Sequence, residues 1–359
     1  MATIVQIRGM ILEEVVLALL KTTGFDVIYG PGQDRSLRMG PSGLEILGRG
    51  GSHQADAIGD FRITMPFGYR QRLIVEAKCF SPRYPIGMPI VRNAVGVFKD
   101  INEYYLPDFS QSLLLPPRYH YRYAIFSATA FTRDAQRYAF AHDIYLVPLD
   151  GNAHMQRMIQ TIRSITHRSF GAVAWNQIDL DLRELRQRVR RRLSVAQMIP
   201  PPSFPPDNPQ GEFASRLAEL AYEMDRIAGS LIGVANGHVL LHLVPYDRRV
   251  LRSIVELASP TGQIDVTIHY REDRGRRNWY LSPINARDAR MSFDLPEELF
   301  MMYAESGILT ARAALDLKEQ ELSQIETFYV EENVLRRLVF VLNTRWVEDV
   351  RSTIARSRE

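Results

Sequence analysis

Residues 48–80, GRGGSHQADAIGDFRITMPFGYRQRLIVEAKCF, decide how this chain folds and what chemistry it can carry. The run at 73–79 reads as a strand, in which successive side chains point to opposite faces. Glu76 and Lys78 then share one face, and Leu73, Val75, Ala77 and Cys79 share the other. An acid and an amine side by side on an apolar strand are costly to bury unless they act together. A second carboxylate, Asp56, lies upstream on a strand predicted over about 54–64, with a turn at 65–72 between the two. Two carboxylates can hold a hard divalent cation through oxygen ligands. A lysine beside them can polarise an attacking water or offset charge on a pentavalent transition state. The D-x(n)-E-x-K spacing is loose, however, and a plain Glu–Lys pair with a surface aspartate upstream satisfies it equally. Asp60 has the same parity as Asp56, so strand alternation does not choose between them.

Working outward, residues 9–22 have the spacing of an amphipathic helix, with Ile11, Leu12, Val15, Val16, Leu19 and Leu20 on one stripe. Gly24 stops it, and a short strand is predicted over 25–29. At about 100° per residue, Glu13 borders the apolar stripe and is expected to face the domain interior, whereas Glu14 points away and is expected to be solvated. The glycine-rich stretch 30–51 reads as loop with one short strand near 44–47; it holds no GxxxxGK[ST], which argues against a phosphate loop. After Cys79 come a proline-rich loop, a helix over about 90–105, a buried strand at 121–129, a helix near 132–142 and a strand at 144–149. Helices interleaved with strands in this order predict an α/β domain with a mixed central sheet.

The 359 residues suffice for two domains. With 46% hydrophobic and 24% charged residues the composition is that of a globular protein. A net charge of +3 excludes a strongly basic protein, so any nucleic-acid footprint must come from local clustering. The lone cysteine, Cys79, rules out an internal disulfide and CxxC-type zinc sites and fits a reducing cytoplasm. The eight histidines lack metal-ligand spacing. The N-terminus lacks a signal-peptide layout, and no apolar run reaches the ~18 residues of a membrane span.

Residues 9–150 resemble the Mrr-like branch of the PD-(D/E)xK restriction-endonuclease superfamily. LEEVVLALLKTTGFDV is similar to the family's opening helix and strand, GGSHQADA to its HQ-x-D segment and VEAK to its ExK strand. YAIFSATAFTRDAQRYAFAHDIYLVPL is similar to its closing strand–helix–strand. The resemblance implies a restriction-endonuclease-like mixed sheet flanked by helices, and Mg²⁺-dependent (or Mn²⁺-dependent) hydrolysis of DNA. It implies that Asp56 and Glu76 ligate the metal, that Lys78 is the catalytic amine, and that Glu13 completes the site. Gln54 matches the polar position beside the family's aspartate, and the HQ-x-D register selects Asp56 over Asp60. The long excursion 61–72 before the ExK strand departs from the family pattern.

Beyond that domain, DLRELRQRVRRRL at 181–193 predicts an arginine-rich helix with Leu182, Leu185, Val189 and Leu193 on one face. Arginine forks suit phosphates, so Arg183, Arg186, Arg190 and Arg191 are candidate nucleic-acid contacts; the alternative is a solvated amphipathic helix packed on a neighbouring domain. The domain plan is a nuclease domain at 1–155, a helical segment at 156–198, a proline-rich linker at 199–213 and an α+β domain at 214–359. In this last domain hairpins are predicted at 234–244 and around the basic turn 271–277, with helices at 214–232, 296–305, 310–324 and 331–356. Arg274, Arg276, Arg277 and Trp279 are weaker candidates for nucleic-acid contact.

The expectation is a metal-dependent endodeoxyribonuclease acting in restriction or phage defence. A homodimer is expected, because cutting both strands takes two active sites, and the C-terminal domain is expected to supply target choice or partner binding. Two alternatives are a non-catalytic scaffold that keeps the nuclease fold and a structure-specific enzyme such as a junction resolvase.

Overall fold

The computed structural model describes residues 2–356 apart from 33, 42, 64–67, 104–117, 150–152, 172–180, 195–208, 237–238, 274–275, 305–307 and 333. The chain divides into two compact units. The first comprises Met1–Leu149, Thr161–Val195 and Pro201–Ala218; the second comprises Asp150–Gln160, Ala196–Pro200 and Glu219–Glu359. The arginine-rich segment therefore clusters with the first unit. The proline-rich linker expected at 199–213 lies outside the described residues as far as 208.

The first unit is a mixed α/β layer structure. Helix α1 (Ile4–Thr22) opens on a capping box: the Thr3 side chain accepts the Gln6 amide, and the Gln6 side chain accepts the Thr3 amide. It begins earlier than the predicted position 9 and ends ahead of Gly24, whose φ of +94° favours glycine. Next come β1 (Phe25–Val27), β2 (Leu37–Gly40), β3 (Gly43–Leu47), β4 (Ser52–Gln54), β5 (Ala57–Phe61) and β6 (Arg70–Lys78). They are followed by α2 (Met88–Asn102), β7 (Tyr119–Ser127), α3 (Arg133–Ala141) and β8 (Ile144–Pro148). The central sheet runs β1-β5-β6-β7-β8; β1, β5 and β6 pair antiparallel, and β6, β7 and β8 parallel. Strands β2, β3 and β4 form a separate small sheet.

The strand predicted over 54–64 is thus two strands on two sheets. The Ala55 amide still donates to Leu44 in the small sheet, and the Asp56 amide donates to Val75 in the central one. The chain changes sheets at the aspartate. One core joins Ile58, Ile74, Tyr123 and Ile125 of the central sheet to Val91 and Ala94 of α2 and Ala135 and Ala139 of α3. Helix α1 packs on β1, β5 and β6. It is not amphipathic: Ile4, Ile7, Met10, Glu14 and Leu17 are buried along with the predicted stripe, so it is covered on almost every side.

The remaining described α-helices up to the second unit's sheet are α4 (Ala153–Ser164), α5 (Leu182–Leu193) and α6 (Pro209–Arg226), with a 3₁₀ turn at His167–Phe170 between the first two. Helix α5 carries the arginines; Asp181 caps it by accepting the Arg183 amide at 2.8 Å, and Leu185, Val189 and Leu193 are buried.

The second unit contains a closed barrel. Its strands are β9 (Leu231–Ala235), β10 (Val239–Pro245), β11 (Gln263–Asp273), β12 (Arg276–Pro283), β13 (Met291–Phe293), β14 (Gln324–Glu331) and β15 (Val334–Leu342), in the order β10-β13-β12-β11-β15-β14-β9. Helices α7 (Val250–Leu257), α8 (Glu297–Tyr303), α9 (Ala311–Glu321) and α10 (Thr344–Arg356) complete it. The two predicted hairpins, β9–β10 and β11–β12, are present in register. Two sequence expectations are corrected here, and one helix is added. Residues 331–356 are not one helix: the chain turns at Glu332, with φ +50°, forms β15 and only then enters α10. Helix α7 was not foreseen. Trp279 is 2% exposed in the barrel core, where it packs with Phe293 and Tyr270, so it is not a surface contact. Arg274 lies outside the described residues, and only the backbone of Arg276 and Arg277 is described. Among the described residues no helix is long and apolar enough to cross a membrane.

Candidate active site

On β6 the Lys78 ammonium meets Glu76 Oε1 at 2.6 Å, which is the shared face predicted from alternation. The other oxygen of that carboxylate, Oε2, accepts the Tyr123 hydroxyl from β7 at 3.1 Å. Burial, followed by the charge of Glu76, pushes the Tyr123 phenol up, so it remains a donor. Glu76 is therefore held from both sides.

Asp56 precedes β5, whose register on β6 pairs Ala57 with Val75. The Asp56 amide itself donates to the Val75 carbonyl at 3.1 Å. The Ala77 amide donates to Asp56 Oδ2 at 2.8 Å, tying the carboxylate to the Glu76–Lys78 strand. The Asp56 carboxyl is pushed up to about 6, first by burial and then by the nearby charge of Glu13, while the Ala77 amide and Lys78 pull the other way. Glu13, from α1, thus belongs to the same electrostatic neighbourhood. Hydrogen bonding and ion pairing tie Asp56, Glu76 and Lys78 together at β6, and Glu13 of α1 reaches them through its charge on Asp56.

Gln54 is the fifth. It lies exposed on β4, and its amide nitrogen is 3.9 Å from where a Cβ on Gly43 would sit. It belongs to the small sheet, and the histidine of the HQ-x-D segment anchors the segment to α2. His53 Nε2 meets Asp100 Oδ2 of α2 at 2.7 Å, and the Gly50 amide donates to Asp100 Oδ1 at 2.8 Å. A side chain on Gly48 would collide with that carboxylate, its Cβ falling 2.1 Å from Asp100 Oδ2. The glycines let the loop wrap around Asp100 and hold the turn that delivers Asp56.

Asp60 is otherwise engaged. Arg72, 1% exposed, donates Nε and Nη2 to its two oxygens at 2.6 and 2.8 Å. The same guanidinium meets Asp34 at 2.7 Å and lies 3.5 Å over the Tyr119 ring. Asp60 is a structural anion, four residues along the strand face from the Glu76 position.

The arginine-rich helix corrects two expectations. Glu14, expected in solvent, is 2% exposed, because α5 packs over α1 on that side. Arg190 donates Nε and Nη2 to Glu14 Oε2 and Oε1, both at 2.7 Å, and Arg186 Nη1 donates to Oε1 at 3.0 Å. Arg186 Nη2 also donates to Glu13 Oε2 at 2.6 Å, and the Arg190 guanidinium sits 4.2 Å over the Tyr29 ring. Arg186 and Arg190, two of the four candidate phosphate contacts, are thus committed within the unit. Arg183 and Arg191 are exposed. Sequence reasoning also missed Tyr123, Asp100 and the attachment of Arg186 to Glu13. For Tyr123, pairing of β6 with β7 was the available signal; the other two lie on elements distant in the chain.

The donor set suits a hard cation: Asp56, Glu76 and Glu13 offer only carboxylate oxygens, and burial with the neighbouring charge of Glu13 raises the Asp56 carboxyl. As they stand, no three acidic, histidine or cysteine groups among the described residues are gathered around one point. Glu76 and Glu13 are each turned to a protein cation.

No family model matches this chain, and no curated protein matches it either. Among solved structures, the crystal structure of a protein of unknown function, AF1548, aligns with 61% of this chain and 98% of its own at 16% identity and a TM-score of 0.31. A likeness that slight carries no argument about fold or function.

Proposed function

We propose that this protein is a divalent-metal-dependent endonuclease that hydrolyses DNA phosphodiester bonds, with a restriction-endonuclease-like first unit. One observation carries the reading: the Asp56 carboxylate is tied by the Ala77 amide to the strand on which Glu76 and Lys78 pair. Asp56 and Glu76 would hold Mg²⁺, with Glu13 completing the set. When bound, the cation supplies Lewis acidity toward a phosphodiester oxygen. The chain's own residues do the positioning. The Ala77 amide and the Tyr123 hydroxyl fix the two carboxylates, so little reorganisation is needed when a phosphate arrives. The Lys78 ammonium, held at the same spot, offsets negative charge on the attacked phosphate. Exposed Arg183 and Arg191 offer phosphate contacts outside the site. The resemblance to Mrr-like nucleases supports a place in restriction or phage defence in a reducing cytoplasm. It also supports a homodimer that cuts both strands and a C-terminal barrel unit that selects targets or partners.

A second reading, a nucleic-acid-binding scaffold without catalysis, is favoured by one observation: Glu76 and Glu13 are each satisfied by a protein cation. Incubating the full-length protein with plasmid DNA and Mg²⁺ or Mn²⁺ separates the two. Metal-dependent cleavage that disappears in Asp56→Ala and Lys78→Ala supports the enzyme. No metal-dependent cleavage of DNA or RNA, together with no Asp56-dependent heat on Mn²⁺ titration, rejects it in favour of the scaffold.

A further inference from the structure

We infer that Arg186 is a positioning residue that competes with the divalent cation for Glu13, so that helix α5 sets the metal affinity of the site. The inference rests on the nuclease reading above. Its observations are separate: Arg186 spans the two consecutive acids of α1, with Nη2 on Glu13 Oε2 at 2.6 Å and Nη1 on Glu14 Oε1 at 3.0 Å.

The two acids differ in their surroundings. The side chain of Glu14 is 1% exposed, and Arg190 holds it through both oxygens, so this pair stays closed whatever Arg186 does. Glu13 is 18% exposed, its carboxylate meets the Arg186 guanidinium at 2.6 Å, and its charge reaches Asp56. A cation entering beside Asp56 and Glu76 would find the third carboxylate already occupied by a guanidinium. One carboxylate oxygen cannot serve both at full strength, because both are cations drawing on the same lone pairs. Metal entry and release of Arg186 from Glu13 are therefore linked, and by reciprocity anything that draws α5 from α1 favours metal binding. Arg190 on Glu14 is the fixed hinge of this arrangement and Arg186 its movable contact.

Titration calorimetry of MnCl₂ into the full-length protein without nucleic acid tests this. Arg186→Gln should bind Mn²⁺ about tenfold tighter, the order expected when a unit charge is removed from beside a divalent ion in a partly screened site. Arg186→Lys, which keeps the charge, should return toward wild type. Arg190→Gln should lower the melting temperature yet leave Mn²⁺ affinity within about twofold, because it strips Glu14 and not Glu13. Glu13→Gln should weaken Mn²⁺ binding by about tenfold, and it reads the same contact from the other side if Arg186→Gln does not fold. Unchanged or weaker binding in Arg186→Gln, an equal gain in Arg190→Gln, or no loss in Glu13→Gln overturns the competition while Asp56-dependent binding persists. If wild-type protein shows no Asp56-dependent heat, the competition falls, and if metal-dependent cleavage is missing as well the nuclease reading fails with it.

Discussion

Asp56→Asn should make the protein more stable at neutral pH while removing its metal-dependent activity. In the fold this carboxyl is raised from 3.8 to about 6, chiefly by burial and next by Glu13. The native state therefore holds the proton more tightly than the unfolded chain does. Stability from this group is intact below about pH 4 and is lost as the pH rises through about 6. At ~1.4 kcal/mol per pH unit, the cost above that window is about 3 kcal/mol. Asparagine never carries the charge, and its side-chain oxygen can still accept the Ala77 amide that now reaches Asp56 Oδ2 at 2.8 Å. Urea unfolding of both proteins at pH 4 and pH 7.5 isolates the effect, since every other titrating group is common to the two. The asparagine variant should be more stable by about 2–3 kcal/mol at pH 7.5, and the two should nearly converge at pH 4. Saturating Mn²⁺ should then stabilise wild type at pH 7.5 and leave the variant unmoved. Equal stabilities at pH 7.5, or a wild type that gains on the variant as the pH rises, would refute the reasoning.

Glu14→Gln removes the buried charge that accepts three hydrogen bonds from two guanidiniums, and one of its two acceptor oxygens, and should cost about 2–4 kcal/mol, seen as a lower thermal midpoint. Arg72→Met strands Asp60 and should cost about 3–5 kcal/mol in urea unfolding. Its Mn²⁺ affinity per folded molecule should stay at the wild-type value, because Asp60 does not serve the site. The double variant Arg183→Ala, Arg191→Ala should bind DNA more weakly, and the slope of log K against log salt should fall by about 2 if both side chains meet phosphates; an unchanged slope would remove Arg183 and Arg191 from the nucleic-acid surface.

The centre of the site was legible because its information is local. Two-residue alternation in 73–79 places Glu76 with Lys78 whatever the sheet around them, and their 2.6 Å pair follows directly. The mixed sheet was legible for the same reason: each strand and helix from 119 onward in the first unit carries its own period. The sheet change at Ala55–Asp56 was not, because a continuous alternating stretch does not record which neighbour each half pairs with. The segment that became β15 failed for a different cause. In VLRRLVFVL the apolar residues suit both a helical and a strand period, and pairing with β14 and β11 settles the choice.

Glu13 and Glu14 show where a single helix stops being informative. Their residue types are identical, and a helical wheel assigns them by the stripe on α1 alone, which sends Glu14 to solvent. The assignment of Glu14 fails because the wheel assumes water on the far side of α1, and α5 fills that side. Its Arg186 and Arg190 lie 172 and 176 residues further along the chain. Once those arginines arrive, burial of Glu14 is permitted by its closed ion pair, and the same helix brings a guanidinium onto Glu13. An arginine-rich helix that looks like a phosphate-binding surface in sequence thus spends two of its guanidiniums on acids of its own unit. That division leaves Arg183 and Arg191 facing outward and places Arg186 within reach of the chemistry at Asp56.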